Sequence, residues 1–141
     1  MIDETLSQFI RSGGVLGDVS INSPVDRVRS LANVDDLGRG SAKTDIYRFA
    51  RGFLEVTVKD GKVRLIALYF DRGDTQRGAA ELGIAIDAPD TAFQSQEGLE
   101  NWLTELGESL DKTFAPDIVK VGENISASLV EGKLVSLQAS G

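Results

Sequence analysis

The sequence contains no cysteine and no histidine. Without cysteine there can be no disulfide bond and no thiol nucleophile. Histidine is the commonest general base and a usual zinc ligand, so its absence removes the most frequent route to acid–base catalysis and to zinc binding. The adjacent acids Asp35 and Asp36 lack the further, regularly spaced oxygen ligands of a calcium loop. We therefore expect a protein that is not an enzyme, with no catalytic residues, no metal and no cofactor.

Long apolar segments are also missing. No apolar run approaches the roughly 18 residues of a transmembrane helix, and the opening residues MIDETLSQFIRS lack the basic-then-apolar order of a signal peptide. Hydrophobic residues nevertheless make up 41% of the 141 residues, as in folded proteins with a core of their own. We expect a single soluble domain over residues 1–141, located in the cytoplasm and not bound to a membrane.

Basic residues are scarce in the second half of the chain. Residues 1–77 hold 12 of the 15 Lys and Arg and 11 of the 22 Asp and Glu, a net charge of +1. Residues 78–141 hold the other 3 bases and 11 acids, a net charge of −8. An acidic half argues against binding to nucleic-acid phosphates and suits a basic protein partner. The alternative is that these acids only keep the protein soluble.

Residues 53–71 predict a β-hairpin, and the rest of the sheet is expected to form around it. Apolar and polar residues alternate over 54–59, as in a half-buried strand. Asp60-Gly61 is typical of a type I′ turn, because both central positions of that turn need a positive φ. The second arm is apolar on both faces over 65–70, as expected of a central strand. A strand over 45–50 would complete a three-stranded meander.

Three helices are predicted. The first spans Asp3 to Arg11, and the second begins with Ser23 as its N-cap and Pro24 at its first position. The longest spans Gln96 to Phe114, after Ser95 as its N-cap. Its apolar residues recur at helical spacing and fall on one stripe. The stripe consists of Leu99, Trp102, Leu103, Leu106, Leu110 and Phe114.

Acidic side chains lie outside this apolar stripe and form the candidate binding site. Only Lys112 interrupts them, so the acid–base pairs that usually stabilise a solvated helix are almost missing. We predict that the acids hold a basic protein, although a merely solvated face is the alternative. The candidate partner-binding residues are Glu97, Glu100, Glu105, Glu108 and Asp111.

The polar segment 33–44 supports a second hypothesis. Residues 38–41, Gly-Arg-Gly-Ser, followed by Lys43 are an arrangement that can cradle an anion, although the spacing of a phosphate-binding loop is absent. The alternative function is therefore a small-ligand-binding or enzymatic domain with its site in this loop. Its pocket would lie beside Asp35, Asp36, Arg39 and Lys43.

An internal repeat is a further hypothesis. Residues 58–63, VKDGKV, resemble residues 129–134, LVEGKL, at an offset of 71. The second segment predicts another hairpin, with its turn at Glu131-Gly132. Helix and hairpin would then occur twice, in pseudo-repeats over 1–77 and 78–141, and the sequence leaves this duplication open. The expected fold is α+β, an antiparallel sheet with helices packed on one face.

The motif S-P-V-x-x-V-x-x-L occurs at 23–31, Y-x-F at 47–49 and L-E-V-x-V-x-D-G-K-V at 54–63. These three motifs resemble a pattern of small bacterial immunity proteins, which neutralise toxins of contact-dependent or secreted systems. Outer-membrane assembly lipoproteins of the BamE/SmpA type share a similar helix–hairpin pattern over 23–66, but this chain lacks their lipobox cysteine. The resemblance implies a fold style more than a function, and it assigns no site residues. Together with the acidic half of the chain, it leads to the hypothesis of an immunity protein that occludes a basic toxin. Homodimerisation through a sheet edge is a further hypothesis.

Overall fold

The protein combines short helices with a large antiparallel sheet. The computed structural model describes residues 2–39 and 43–141. The strands are β1 (Glu4–Thr5), β2 (Asp36–Arg39), β3 (Thr44–Phe49), β4 (Leu54–Lys59), β5 (Lys62–Tyr69), β6 (Ile84–Ala85), β7 (Leu110–Ala115), β8 (Ile118–Val121), β9 (Ile125–Val130) and β10 (Lys133–Ser140). The helices are α1 (Leu6–Arg11), α2 (Val25–Arg29), α3 (Thr75–Leu82), α4 (Thr91–Gln94) and α5 (Gln96–Glu105). Within the described residues, none of these helices has the length and apolar character needed to cross a membrane.

Two four-stranded meanders form one sheet. Its strand order is β2-β3-β4-β5-β10-β9-β8-β7, and every neighbouring pair is antiparallel. The meanders β2–β5 and β7–β10 join where β5 pairs with β10. The short strands β1 and β6 form a separate parallel pair. The predicted combination of helices with an antiparallel sheet is confirmed.

The two predicted hairpins are both present and have the same internal geometry. Asp60 and Gly61 have φ of 54° and 76°, and Glu131 and Gly132 have φ of 52° and 78°. Positive φ at both central positions is the type I′ geometry that the turn residues predict. Each hairpin also contains one register shift. The pairs that flank it are Val58–Val63 and Thr57–Leu65 in the first hairpin, and Leu129–Leu134 and Ser128–Ser136 in the second.

One face of the sheet builds the hydrophobic core. In the part of the chain that the structure describes, alternate residues of the strands are buried in a single cluster that also holds buried apolar residues from each of α1 to α5. The helices are too short to be stable alone, so this packing is what holds them in place. Sheet members of the core include Val56, Ile66, Leu68, Leu137, Ala127 and Val119. Helix members include Leu6, Phe9, Val28, Leu82, Leu99 and Leu103.

The predicted long helix over 96–114 is wrong in its second half. It ends at Glu105, and Gly107 takes a φ of +84° that a continuing helix cannot use. Residues 110–115 form β7 and satisfy their backbone by pairing with β8. Leu110 and Phe114 match a helical period by spacing alone, and the Phe114 side chain is 62% exposed at the sheet edge.

Smaller differences occur elsewhere in the chain. Part of the predicted loop 33–44 is the edge strand β2, and α3 after β5 is not among the three predicted helices. The first helix begins at Leu6 with Thr5 as its N-cap, three residues later than predicted. Pro24 is the N-cap of α2, and the Ser23 hydroxyl instead accepts a hydrogen bond from the backbone N–H of Ser20.

Candidate functional site

The five acids predicted to bind a partner lie on one helix, one strand and the connection between them. Glu97, Glu100 and Glu105 are on α5, whereas Glu108 follows the helix and Asp111 is on β7. The prediction that all five share one helix is therefore wrong. Glu100 is also engaged, because its carboxylate lies 2.8 Å from Nζ of Lys112.

Two of the acids face a common groove, here called the α5 groove. Its volume is about 510 Å³, and Pro89, Thr91, Ser95 and Gly98 are among its lining residues. Glu97, Asn101 and Glu105 follow one another at four-residue spacing and so line the same side of the helix. Trp102 contributes an almost fully buried, and therefore fixed, apolar wall. None of the described lining residues is a lysine or arginine, so the groove presents two carboxylates without an adjacent cation.

The position of α5 depends on one close backbone approach. Ser95 caps the helix as predicted, since its hydroxyl accepts a hydrogen bond from the N–H of Gly98 at 3.0 Å. A Cβ atom on Gly98 would lie only 2.0 Å from the carbonyl oxygen of Thr91. Glycine at this position lets α4 and α5 meet closely, and the α5 groove lies along this junction.

Glu108 and Asp111 belong to other surfaces. Glu108 lines a groove with Arg11 and Glu123, away from the α5 groove. Asp111 accepts hydrogen bonds from the hydroxyl and the backbone N–H of Thr113, at 2.6 and 2.9 Å. These bonds hold the pKa of the Asp111 carboxyl below its usual value. The Asp111 carboxyl therefore stays ionised to a lower pH than an aspartate without these hydrogen bonds.

A polar network on the second sheet face is not predicted from the sequence. The Glu55 carboxylate is buried between Arg48 and Arg72, with Nε of Arg48 at 3.1 Å. Arg48 also contacts Asp36 at 2.7 Å, and the Arg72 guanidinium lies 3.7 Å from the centroid of the Tyr69 ring. These five residues are called the Glu55 network. Since each cation already contacts a carboxylate, we regard the network as structural and not as an open binding site.

The ionisation of the Tyr69 phenol can be measured and reports on the charges of the Glu55 network. Burial raises the pKa of the Tyr69 phenol above its usual value of about 10, the negative charge of Glu55 raises it further, and Arg72 lowers it. The neutral phenol is thus favoured in the folded protein. The stability that the neutral phenol contributes is fully present at pH values below the pKa of Tyr69 in the unfolded chain. It is lost as the pH rises through the pKa of Tyr69 in the folded protein.

We expect the Tyr69→Phe variant to lose the ionisation step that lies above pH 10. Glu55→Gln should move the midpoint of that step to lower pH, because the carboxylate charge that disfavours tyrosinate is gone. Tyrosinate absorbance in a spectrophotometric titration measures both effects. An unchanged midpoint in Glu55→Gln would contradict the assigned role of that charge.

The alternative site in segment 33–44 is dispersed. Asp36 and Arg39 are on β2 and pair with Arg48 and Asp45, and Gly40 and Ser41 of the predicted anion cradle lie outside the described residues. The Asp35 carboxylate accepts a hydrogen bond from the backbone N–H of Arg51 at 2.7 Å. A groove of about 530 Å³ is present nearby, and its described lining residues include Arg29, Asn33, Asp35 and Glu81 but not Asp36 or Arg39.

Comparisons with protein-family models, with curated proteins and with solved structures found no match. The resemblance to immunity proteins over residues 23–66 therefore stays a prediction.

Proposed function

We propose that this protein is an acidic protein-binding module, an immunity protein that neutralises a basic bacterial toxin by covering its cationic surface. The α5 groove supports this proposal most directly. It offers Glu97 and Glu105 on one side of a helix, beside the fixed wall of Trp102 and without a cation in its described lining. Such a site suits a lysine or arginine side chain, because the carboxylates bind the charge and the apolar wall contacts its stem.

The charge of the surrounding half supports the same function. Residues 78–141 carry a net charge of −8. Two of their three lysines already have local contacts, Lys112 with Glu100 and Lys120 with the ring of Phe114 at 4.6 Å. The remaining negative field would steer a basic protein towards this half and make association fast and salt-sensitive. The proposal keeps the cytoplasmic location expected from the sequence.

We also infer that the helices cover one face of the sheet and that residues 1–77 and 78–141 are pseudo-repeats. Buried apolar residues from each of α1 to α5 fall in one cluster with one set of alternating strand residues, which supports the first point. The register shifts of the two hairpins lie at positions that are 71 residues apart in the sequence, which supports the pseudo-repeats. The same offset relates Ala67 to Gln138, and these two residues pair at the centre of the β5–β10 junction. Duplication would have supplied two similar scaffolds, of which one acquired the acidic surface.

Charge reversal tests the proposed docking site. We expect Glu97→Lys/Glu105→Lys to slow association with the basic partner about tenfold at low salt, because steering and local contacts are both lost. The partner is first captured from lysate at low salt and released at high salt, and its association rate is then measured by surface plasmon resonance at several salt concentrations. The rate for the unmodified protein should fall steeply as salt increases.

The matched control is Asp3→Lys/Asp117→Lys. Both acids are exposed and neither lines the α5 groove, yet this double variant changes the net charge by the same amount. If the control slows association less than Glu97→Lys/Glu105→Lys does, the partner docks at the α5 groove. Equal effects of the two double variants, or a rate that does not depend on salt, would argue against docking at the α5 groove.

Two other functions have a specific observation in their favour. The groove beside Arg29, Asp35 and Glu81 favours a small-ligand-binding or enzymatic domain, and a thermal-shift screen of small anions tests that alternative. Leu37 and Phe114, which are 45% and 62% exposed on the edge strands β2 and β7, favour a homodimer formed through a sheet edge. Sizing by light scattering tests the homodimer.

A further inference from the structure

An apolar groove lies next to the α5 groove. Its volume is about 320 Å³, and its apolar lining includes Phe70, Ile86, Ala88, Phe93 and Leu134. The rings of Phe70 and Phe93 meet edge to face, with centroids 5.1 Å apart, and both side chains are only partly buried. Aromatic surface is therefore left accessible in a concave site, which is called the Phe93 groove. Concave sites lined mainly by apolar groups are typical places for ligands and anchoring side chains.

The two grooves lie on either side of one short segment. Ala88 and Asp90 line the Phe93 groove, whereas Pro89 and Thr91 line the α5 groove. Residues 88–91 are thus a common wall. Because an extended chain advances about 3.3 to 3.6 Å per residue, a partner segment of a few residues can reach both grooves.

The polar rim of the Phe93 groove indicates which apolar group fits it. Two acids, Asp71 and Asp90, lie on this rim with one base, Lys133. The two carboxylates would repel an anionic ligand. An apolar side chain with neighbouring cations would instead have complementary charge at this rim and in the α5 groove.

We propose that the partner docks through an aromatic or branched aliphatic side chain that is flanked within a few residues by lysine or arginine. The apolar side chain enters the Phe93 groove while a neighbouring cation enters the α5 groove. This inference rests on the proposed function and specifies the partner chemistry of the same acidic surface. The apolar anchor supplies affinity that salt does not screen, and the cation supplies charge-dependent steering.

Peptide binding tests the proposal. The probes are two acetylated, amidated nine-residue peptides of glycine and serine with a lysine near each end, one with a central phenylalanine and the other with alanine at that position. Binding to the isotopically labelled protein is followed by NMR titration. We expect the phenylalanine peptide to bind about five- to tenfold more tightly and to shift the amide resonances of Ile86 and Phe93.

A blocking variant distinguishes binding in the Phe93 groove from non-specific apolar binding elsewhere on the protein. Gln76 is exposed and lines the Phe93 groove, so Gln76→Trp should fill the groove and reduce affinity to that of the alanine peptide. The matched control is Gln94→Trp, since Gln94 is an exposed helical glutamine that lines neither groove. This control should keep the preference for phenylalanine.

The outcomes distinguish this inference from the function on which it rests. Equal binding of both peptides, abolished by Glu97→Lys/Glu105→Lys, overturns the apolar anchor and leaves the acidic docking site intact. A phenylalanine preference that survives Gln76→Trp also overturns the anchor. If neither peptide binds at low salt, both the anchor and the docking site are contradicted.

Discussion

Replacement of Gly98 by alanine is expected to destabilise the protein by about 2 to 3 kcal/mol, although glycine-to-alanine changes inside helices usually stabilise by about 1 kcal/mol. The added Cβ would lie 2.0 Å from the carbonyl oxygen and 2.6 Å from the carbonyl carbon of Thr91. These are backbone atoms, so no side-chain rotation relieves the overlap. The helices α4 and α5 must move apart instead, which also reshapes the α5 groove. Loss of stability and loss of partner binding should therefore occur together.

Urea denaturation with linear extrapolation measures the free energy of unfolding. Gly107→Ala is the matched control, because Gly107 has a φ of +84° and an added Cβ would meet no atom within 4 Å. Its cost should be that of a left-handed alanine alone, about 1 kcal/mol. A Gly98→Ala variant as stable as the unmodified protein would show that α4 and α5 are not held in close contact.

The Glu55→Ala variant is expected to lose about 2 kcal/mol of stability. The Glu55 side chain is 12% exposed, and its removal leaves the guanidiniums of Arg48 and Arg72 without their shared carboxylate. Both arginines are partly exposed, so water replaces some of the lost contacts. The loss should therefore be smaller than the 3 to 5 kcal/mol typical of fully buried ion pairs. Glu55→Gln keeps a hydrogen-bond acceptor of similar size and should cost less.

The loss of stability in Glu55→Ala can be compared with the loss caused by breaking an exposed ion pair in the same protein. Asp26 and Arg29 approach to 3.6 Å with side chains that are 87% and 61% exposed. Asp26→Ala should change stability by less than about 1 kcal/mol, because exposed pairs contribute little. Denaturation curves of the two alanine variants make the comparison directly. Equal losses in Glu55→Ala and Asp26→Ala would contradict a structural role for the Glu55 network.

The hairpins could be predicted because their information is local. A type I′ turn depends on two adjacent residues, and Asp60-Gly61 and Glu131-Gly132 supply them. The second half of the long helix was mispredicted because Leu110 and Phe114 fit a helical period and equally fit a strand. The short strand β2 and the helix α3 lie in segments rich in turn formers, where local signals favour a loop. Their backbones are fixed by tertiary partners that no local pattern reveals.

The candidate site could be predicted only in part. Helical spacing places Glu97 and Glu105 on the same side of α5. The groove itself depends on the contact between Gly98 and Thr91 and on the path of residues 88–91, and both are tertiary. The Glu55 network was missed for a similar reason, because Arg72 lies 17 residues after Glu55 in the sequence and no local pattern relates the two side chains.

The junction between β5 and β10 has a consequence for how the chain folds. Within each four-stranded meander, every strand pairs with a neighbour in sequence, so few residues separate the partners. Across the junction, Ala67 pairs with Gln138, and closing so long a loop costs more conformational entropy than forming a hairpin. We therefore expect both meanders to form early and separately, and their joining to set the folding rate. Substitutions at the junction should then act mainly on folding speed, and those in the hairpin turns on the lifetime of the early intermediates.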